Sequence, residues 1–150
     1  MTITMRPATR DDLPAIVAMY ADDRLGAERE TPDDMAPYEA AFDRLTATGG
    51  VSTVHVAERD GRIVGTLQLT IIPSLSHRGG SRAHVEAVRV AASARSGGIG
   101  TGMMGWVIDE ARRQGCLMVE LTSNRTRTDA ARFYERLGFV ASHTGFKYRL

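Results

Sequence analysis

Arg95-Ser96-Gly97-Gly98-Ile99-Gly100 lies between a β-branched run, Val85 to Val90, and an apolar periodicity that begins at Ile99. Ile99, Met103, Trp106, Val107 and Ala111 recur at the spacing of one helix face, so the glycines mark a strand-to-helix junction. The first backbone N–H groups of a helix have no intrahelical acceptor and point at whatever lies in front of them. Glycines let that backbone approach a ligand closely, and Arg95 adds a fork of donors matched to phosphate oxygens. The stretch therefore predicts a phosphate cradle.

Working outward, helix starts and hairpin signals order the rest of the chain. Ile3 to Ala8 reads as a short strand, followed by a helix with Thr9 as its N-cap and Leu13, Ile16, Val17 and Tyr20 at helical spacing. Thr31-Pro32-Asp33-Asp34 repeats the start signal for a helix running to about Thr48. Val51 to Ala57 and Ile63 to Ile72 are strands joined through the Asp60-Gly61 turn, and His84 to Val90 is the next. Strand alternation puts His84, Glu86, Val88 and Val90 on one face. Leu117 to Leu121 is a strand and Thr128 to Leu137 a helix stopped by Gly138. Phe139 to Ala141 and Phe146 to Leu150 read as two closing strands. Helix-linked strands in the second half and the hairpin before them point to a mixed sheet with helices on both faces.

Composition narrows the function. The 150 residues suit a single domain, and a net charge of +1 with scattered arginines offers no field for nucleic acid. One cysteine, Cys116, excludes an internal disulfide and suits a reducing, cytoplasmic compartment. No apolar run reaches the roughly 18 residues of a membrane span. Gly100-Thr101-Gly102-Met103-Met104-Gly105 also spells G-x-G-x-x-G, with Glu120 about twenty residues on, as in dinucleotide sites. There, however, the first glycine belongs in the turn directly after the strand, whereas Gly100 already lies inside the helix. No Lys-Ser or Lys-Thr follows the glycines, which excludes a Walker loop.

Two motifs carry a family likeness: R-x-x-G-x-G at Arg95 to Gly100, and F-Y-x-x-x-G-F at Phe133 to Phe139. With them, and with this element order, the chain resembles the GNAT superfamily of N-acyltransferases over nearly its whole length. The resemblance implies an α/β (α+β mixed) fold, residues 1–150 forming one domain around a central, mostly antiparallel sheet. It implies acetyl-CoA as co-substrate, with its pyrophosphate on the backbone of Arg95, Ser96, Gly97, Gly98, Ile99 and Gly100 and the Thr101 hydroxyl nearby. Val88 and Val90 would pair through their main chain with the pantetheine arm, and Asn124 would hydrogen-bond it or order the following helix. Tyr134 would protonate the leaving thiolate. Glu86, in a semi-buried strand setting, would support deprotonation of the acceptor amine through water, with His84 as the other candidate. Direct attack by the amine needs no enzyme nucleophile and no metal. The expected acceptor is a primary amine of a small molecule. Glu28, Arg29, Glu30, Tyr38, His77, Arg78, His143 and Lys147 are candidates for its pocket, and the C-terminal run is similar to members acting on small amines, including aminoalkylphosphonates. A homodimer is expected by analogy with the family. The alternative is a non-catalytic acyl-CoA-binding or regulatory module on the same fold.

Overall fold

The computed structural model describes residues 2–150, in two compact units that divide between Glu120 and Leu121. The first unit is built on a sheet whose strand order follows the chain, β1 (Thr4–Pro7), β2 (Ser52–Arg59), β3 (Arg62–Ile72), β4 (Arg82–Val90) and β5 (Met118–Leu121). Strands β1 to β4 pair antiparallel. Asp60 (φ 52°) and Gly61 (φ 71°) both occupy the left-handed region, the geometry of a two-residue hairpin turn, as the Asp-Gly dipeptide predicts.

Residues directly opposite one another in an antiparallel pair share a face, which assigns the helices to their sides. His55 pairs with Leu67 and Ala57 with Gly65. On that face lies α5 (Ile99–Arg113): Trp106 packs against His55 with the rings tilted by 52° and their centroids 4.7 Å apart, and a Cβ on Gly65 would come within 2.5 Å of Met103 Sδ. A glycine at 65 is what lets the helix approach so closely. Leu67, Met103, Met104, Val85 and Val107 are essentially solvent-free and form the core on this side. Val54 and Val56 point the other way, onto Ile16 and Tyr20 of α1 (Leu13–Ala21) and Leu45 of α3 (Ala36–Thr46). The mixed architecture with helices on both faces is thus as the sequence indicates.

Three readings of the chain are corrected. The helix start assigned to Thr31-Pro32-Asp33-Asp34 is a closed turn, with the Asp34 N–H donating to the Thr31 carbonyl (3.0 Å). The helix instead begins at Ala36, where Asp34 Oδ1 accepts the Ala36 N–H (3.2 Å) and Pro37 occupies the first turn. An additional short helix, α2 (Arg24–Arg29), precedes it, capped by Asp23 accepting the Gly26 N–H at 2.6 Å. The two closing strands do not form: among the described residues 139–150 carry no strand. The Phe139 N–H donates to the Tyr134 carbonyl (3.1 Å), closing the end of the preceding helix instead of entering a ladder. Phe146, Tyr148 and Leu150 alternate as a strand would, yet are exposed.

A part-buried ion-pair cluster ties β1 to the turn after it and to β2. Arg6 grips Asp12 with two bonds (2.7 and 3.0 Å) and reaches Glu58 (2.7 Å), while Asp12 also accepts the Thr9 N–H (2.7 Å). The Arg6 hydrogen bond, opposed by burial, holds the Asp12 carboxyl down at about 2. A depressed carboxyl stabilises the fold above its unfolded pKa, and that contribution is lost as pH falls through the folded value. Asp12→Asn is therefore expected to cost about 2 kcal/mol at neutral pH. The gap from the parent should close between about pH 4 and pH 2 in chemical denaturation series.

Candidate active site

The glycine loop is reached through a single turn of 3₁₀ helix, Ala92–Ala94, after β4. Ser96 (φ 66°) and Gly98 (φ 73°) then take left-handed conformations, and Gly98 is the N-cap of α5. The first helical bond of α5 is Gly102 N–H to the Gly98 carbonyl (3.0 Å), so the amides of Ile99, Gly100 and Thr101 have no acceptor within the helix. A Cβ on Gly97 would meet the Ala94 carbonyl oxygen at 3.3 Å and Arg59 Nη1 at 3.4 Å. A side chain there would fit tightly, against a carbonyl and the end of a flexible arginine. Free amides, a helix N-terminus and guanidinium groups form a donor set suited to a diphosphate.

Arg95 itself is engaged within the protein. Its Nη2 donates to Asp22 Oδ2 at 2.8 Å and its Nε to the Val90 carbonyl at 3.3 Å, tying the loop to the end of α1. These bonds use the Nε donor and one on Nη2 of the five that a guanidinium carries, and the side chain is half exposed. The remaining helix glycines differ in their surroundings: a Cβ on Gly102 would press on Ile3 Cδ1 at 3.2 Å, whereas one on Gly105 would meet nothing within 4 Å.

In β4 the simple alternation read from the sequence breaks. Glu86 pairs with Gln68, but Arg89 pairs with Thr66 and Val90 with Gly65, so Ala87 and Val88 together stand against Leu67. Ala87 (φ 52°) is the bulged residue. One extra residue shifts the face of everything after it. Glu86 and His84 therefore share their face with Arg89, while Val90 turns to the α5 side. Val88 and Val90 both have carbonyls contacted by side chains, of Arg89 (2.9 Å) and Arg95 (3.3 Å) respectively.

Around Glu86 the sheet carries a chain of charged groups. His84 Nε2 lies 3.4 Å from Glu86 Oε2, His84 Nδ1 lies 3.8 Å from Glu120 Oε1, and Arg82 Nε is 3.6 Å from the same Glu120 oxygen. The structure thus brings both deprotonation candidates together as one imidazole–carboxylate pair. The Glu86 side chain is 51% exposed, more open than the semi-buried setting expected from its apolar neighbours. That exposure leaves room for a bridging water.

The helices opposite complete this side. Arg89 Nε lies 3.7 Å from Asp23 Oδ2. Glu30 accepts from the Tyr38 hydroxyl (2.8 Å) and from Arg29 Nε (2.7 Å). Burial opposes ionisation of Glu30, but these hydrogen bonds hold its carboxyl below the usual range. Burial pushes the Tyr20 phenol up, and Tyr20 is hydrogen-bonded to Thr66. Asp23 and Glu30 are each paired with an arginine here, Arg89 and Arg29, and Glu86 lies beside His84. Glu30 and Tyr38 were legible as pocket candidates. Tyr20 and Asp23 were not, because one reads as a core position and the other caps a helix that the sequence did not announce.

The second unit, 121–150, contains α6 (Thr128–Arg136). Ala130, Phe133, Tyr134 and Leu137 form its half-buried stripe. Tyr134 is held edge-on between Phe133 (5.1 Å) and Phe139 (5.8 Å), which fixes the ring. Asn124 uses its side-chain oxygen to accept the Thr126 N–H (3.0 Å) and hydroxyl (2.8 Å), an Asx turn ahead of α6. Cys116 is free and half-buried, and burial raises its thiol. Among the described residues no helix is long and apolar enough to cross a membrane.

A strand bulged beside a carboxylate thus runs into a glycine loop at a helix start. The sequence matches the Acetyltransferase (GNAT) family over residues 13–139, and the chain belongs to that family. It is 30% identical over 144 residues to an aminoalkylphosphonate N-acetyltransferase of Salmonella typhimurium, covering 95% of this chain and 88% of that one. It is 34% identical over 99 residues to a glucosamine 6-phosphate N-acetyltransferase of Trypanosoma brucei brucei, covering 66% of this chain and 65% of the other. Among solved structures, one described as a transcriptional regulator from Bacillus halodurans superposes with a TM-score of 0.93 at 40% identity, covering 99% of this chain and all 100% of that one.

Proposed function

We propose that this protein transfers the acetyl group of acetyl-CoA to the primary amine of a small molecule that also bears a phosphonate or phosphate. The observation that carries the reading is the similarity to the aminoalkylphosphonate N-acetyltransferase across 95% of the chain. The acceptor of the Trypanosoma relative is likewise an amine with a phosphate. The family match spans both units, which supports reading residues 1–150 as one functional domain. The lone cysteine fits a cytoplasmic setting.

The co-substrate supplies an activated acetyl group as a thioester, and the glycine loop with the first turn of α5 would hold its diphosphate. On this reading the exposed carboxylate of Glu86 attracts the acceptor as an ammonium. Glu86, paired with His84, takes one proton through water, so that the neutral amine attacks the thioester carbonyl directly. The C–N bond forms as the C–S bond breaks. Tyr134 delivers a proton to the departing sulfur, and the proton lost by nitrogen passes to solvent. No enzyme nucleophile takes part.

The solved structure described as a transcriptional regulator favours a second reading, a module of this fold that binds acyl-CoA without turnover. Calorimetric titration with acetyl-CoA, followed by a thiol-release assay with 2-aminoethylphosphonate and glucosamine 6-phosphate, separates the two. Micromolar-range binding with amine-dependent thiol release is the expected result. Binding without release for any amine favours the regulatory module, and no binding at millimolar co-substrate overturns both.

A further inference from the structure

Just ahead of β5, Leu117 donates its N–H to the Ser81 carbonyl at 2.9 Å, at the start of β4. Three residues further along each chain segment, Glu120 comes beside His84, with Oε1 3.8 Å from Nδ1. The other ring nitrogen, Nε2, lies 3.4 Å from Glu86 Oε2. An imidazole whose two nitrogens face two different carboxylates has its ring plane set from both sides. Glu120 is held in turn by Arg82. The Arg82 Nε is buried without a hydrogen bond, and the oxygen it faces, 3.6 Å away, is the same Glu120 Oε1. The two carboxylates differ in access to solvent: the Glu120 side chain is 37% exposed, that of Glu86 51%. Glu86 is thus the carboxylate open to a substrate, and Glu120 stands behind the ring.

We propose that Glu120 is a positioning residue for deprotonation of the acceptor, accepting the Nδ1–H of His84 and so holding Nε2 toward Glu86. The inference rests on the acetyl-transfer reading above. The proton that Glu86 takes from the ammonium through water passes on to Nε2. The ring, now carrying a proton on each nitrogen, donates one to Glu120 and the other to Glu86, until the Nε2 proton leaves to solvent. With no acceptor at Nδ1 the ring is free to turn, and the proton loses its fixed destination beside Glu86. At 3.8 Å the Glu120 contact is longer than a hydrogen bond, and catalytic contacts that are long in an empty site tighten when substrate is bound. Glu120 touches no substrate in this scheme and acts only through His84.

The test is a double-mutant cycle on thiol release, using whichever of 2-aminoethylphosphonate and glucosamine 6-phosphate the parent acetylates, together with nitrogen NMR of the His84 ring. Glu120→Met keeps the length of the side chain and removes the acceptor. It should lower kcat about 10-fold, with KM for acetyl-CoA and for the amine within about twofold of the parent. Glu120→Gln, which keeps an acceptor oxygen, should recover part of that loss. In a His84→Gln background Glu120→Met should cost nothing further, because the two residues act as one unit. The ring proton should sit on Nδ1 in the parent and spread over both nitrogens in Glu120→Met. A kcat within twofold of the parent in Glu120→Met overturns the proposal. So does a penalty that persists undiminished in the His84→Gln background, since Glu120 then acts through Arg82 or the fold. If the parent releases no thiol with either amine, the acetyl-transfer reading fails, and the NMR decides alone: Nδ1 protonation unchanged in Glu120→Met overturns the positioning role.

Discussion

Tyr134→Phe is expected to lower kcat by about 10²-fold or more while leaving KM for acetyl-CoA within about twofold, since a positioned general acid contributes on that scale. The substitution deletes one oxygen and keeps the ring. The edge-on contacts with Phe133 and Phe139 hold the ring in place without the hydroxyl, so the helix should remain as it is. What is lost is the proton for the departing sulfur. The pH profile discriminates further: a phenol acting as acid must be protonated, so the parent should lose rate at alkaline pH as that proton leaves. The variant should lack this limb. Unchanged turnover at every pH would remove Tyr134 from the acid role.

Glu86→Gln should reduce turnover by about 10²-fold near neutral pH, with the deficit shrinking as pH rises toward the acceptor's own pKa, about 10 for an alkyl ammonium. The sign follows from the substrate. At low pH almost all of the amine is protonated and depends on a base, whereas at high pH the free amine is already present. Gln68 opposite and His84 at 3.4 Å are undisturbed by an isosteric amide. A rate ratio that stays flat from neutral to alkaline pH would shift the base role to His84. In that case His84→Gln should reproduce the pH-dependent deficit that Glu86→Gln lacks.

The readable part of this protein is the part whose cause is local. Asp60-Gly61 must turn because only small or left-handed-tolerant residues adopt those angles, and the hairpin register follows. The face of α5 follows from the spacing of Ile99, Met103, Val107 and Ala111, all of which are buried. The anion loop is equally local, because glycines at a helix start announce themselves.

What escaped the sequence depended on partners distant along the chain. Ala87 has no compositional mark of a bulge, and its left-handed conformation exists because β4 must pair with β3 on both sides of one extra residue. That single residue decided that Arg89, and not Val90, shares a face with Glu86. The pattern of Phe146, Tyr148 and Leu150 suits a strand, but a strand requires a ladder partner, and alternation alone cannot supply one. Arg95 carried the look of a phosphate ligand, and its bond to Asp22, 73 residues away, became visible only when α1 and the loop were brought together. The sequence by itself determined the β2–β3 hairpin, the buried face of α5, the glycine loop and the family. Tertiary structure alone decided which charged side chains meet at the site, because hydrogen bonds and ion pairs form between residues that only folding makes neighbours.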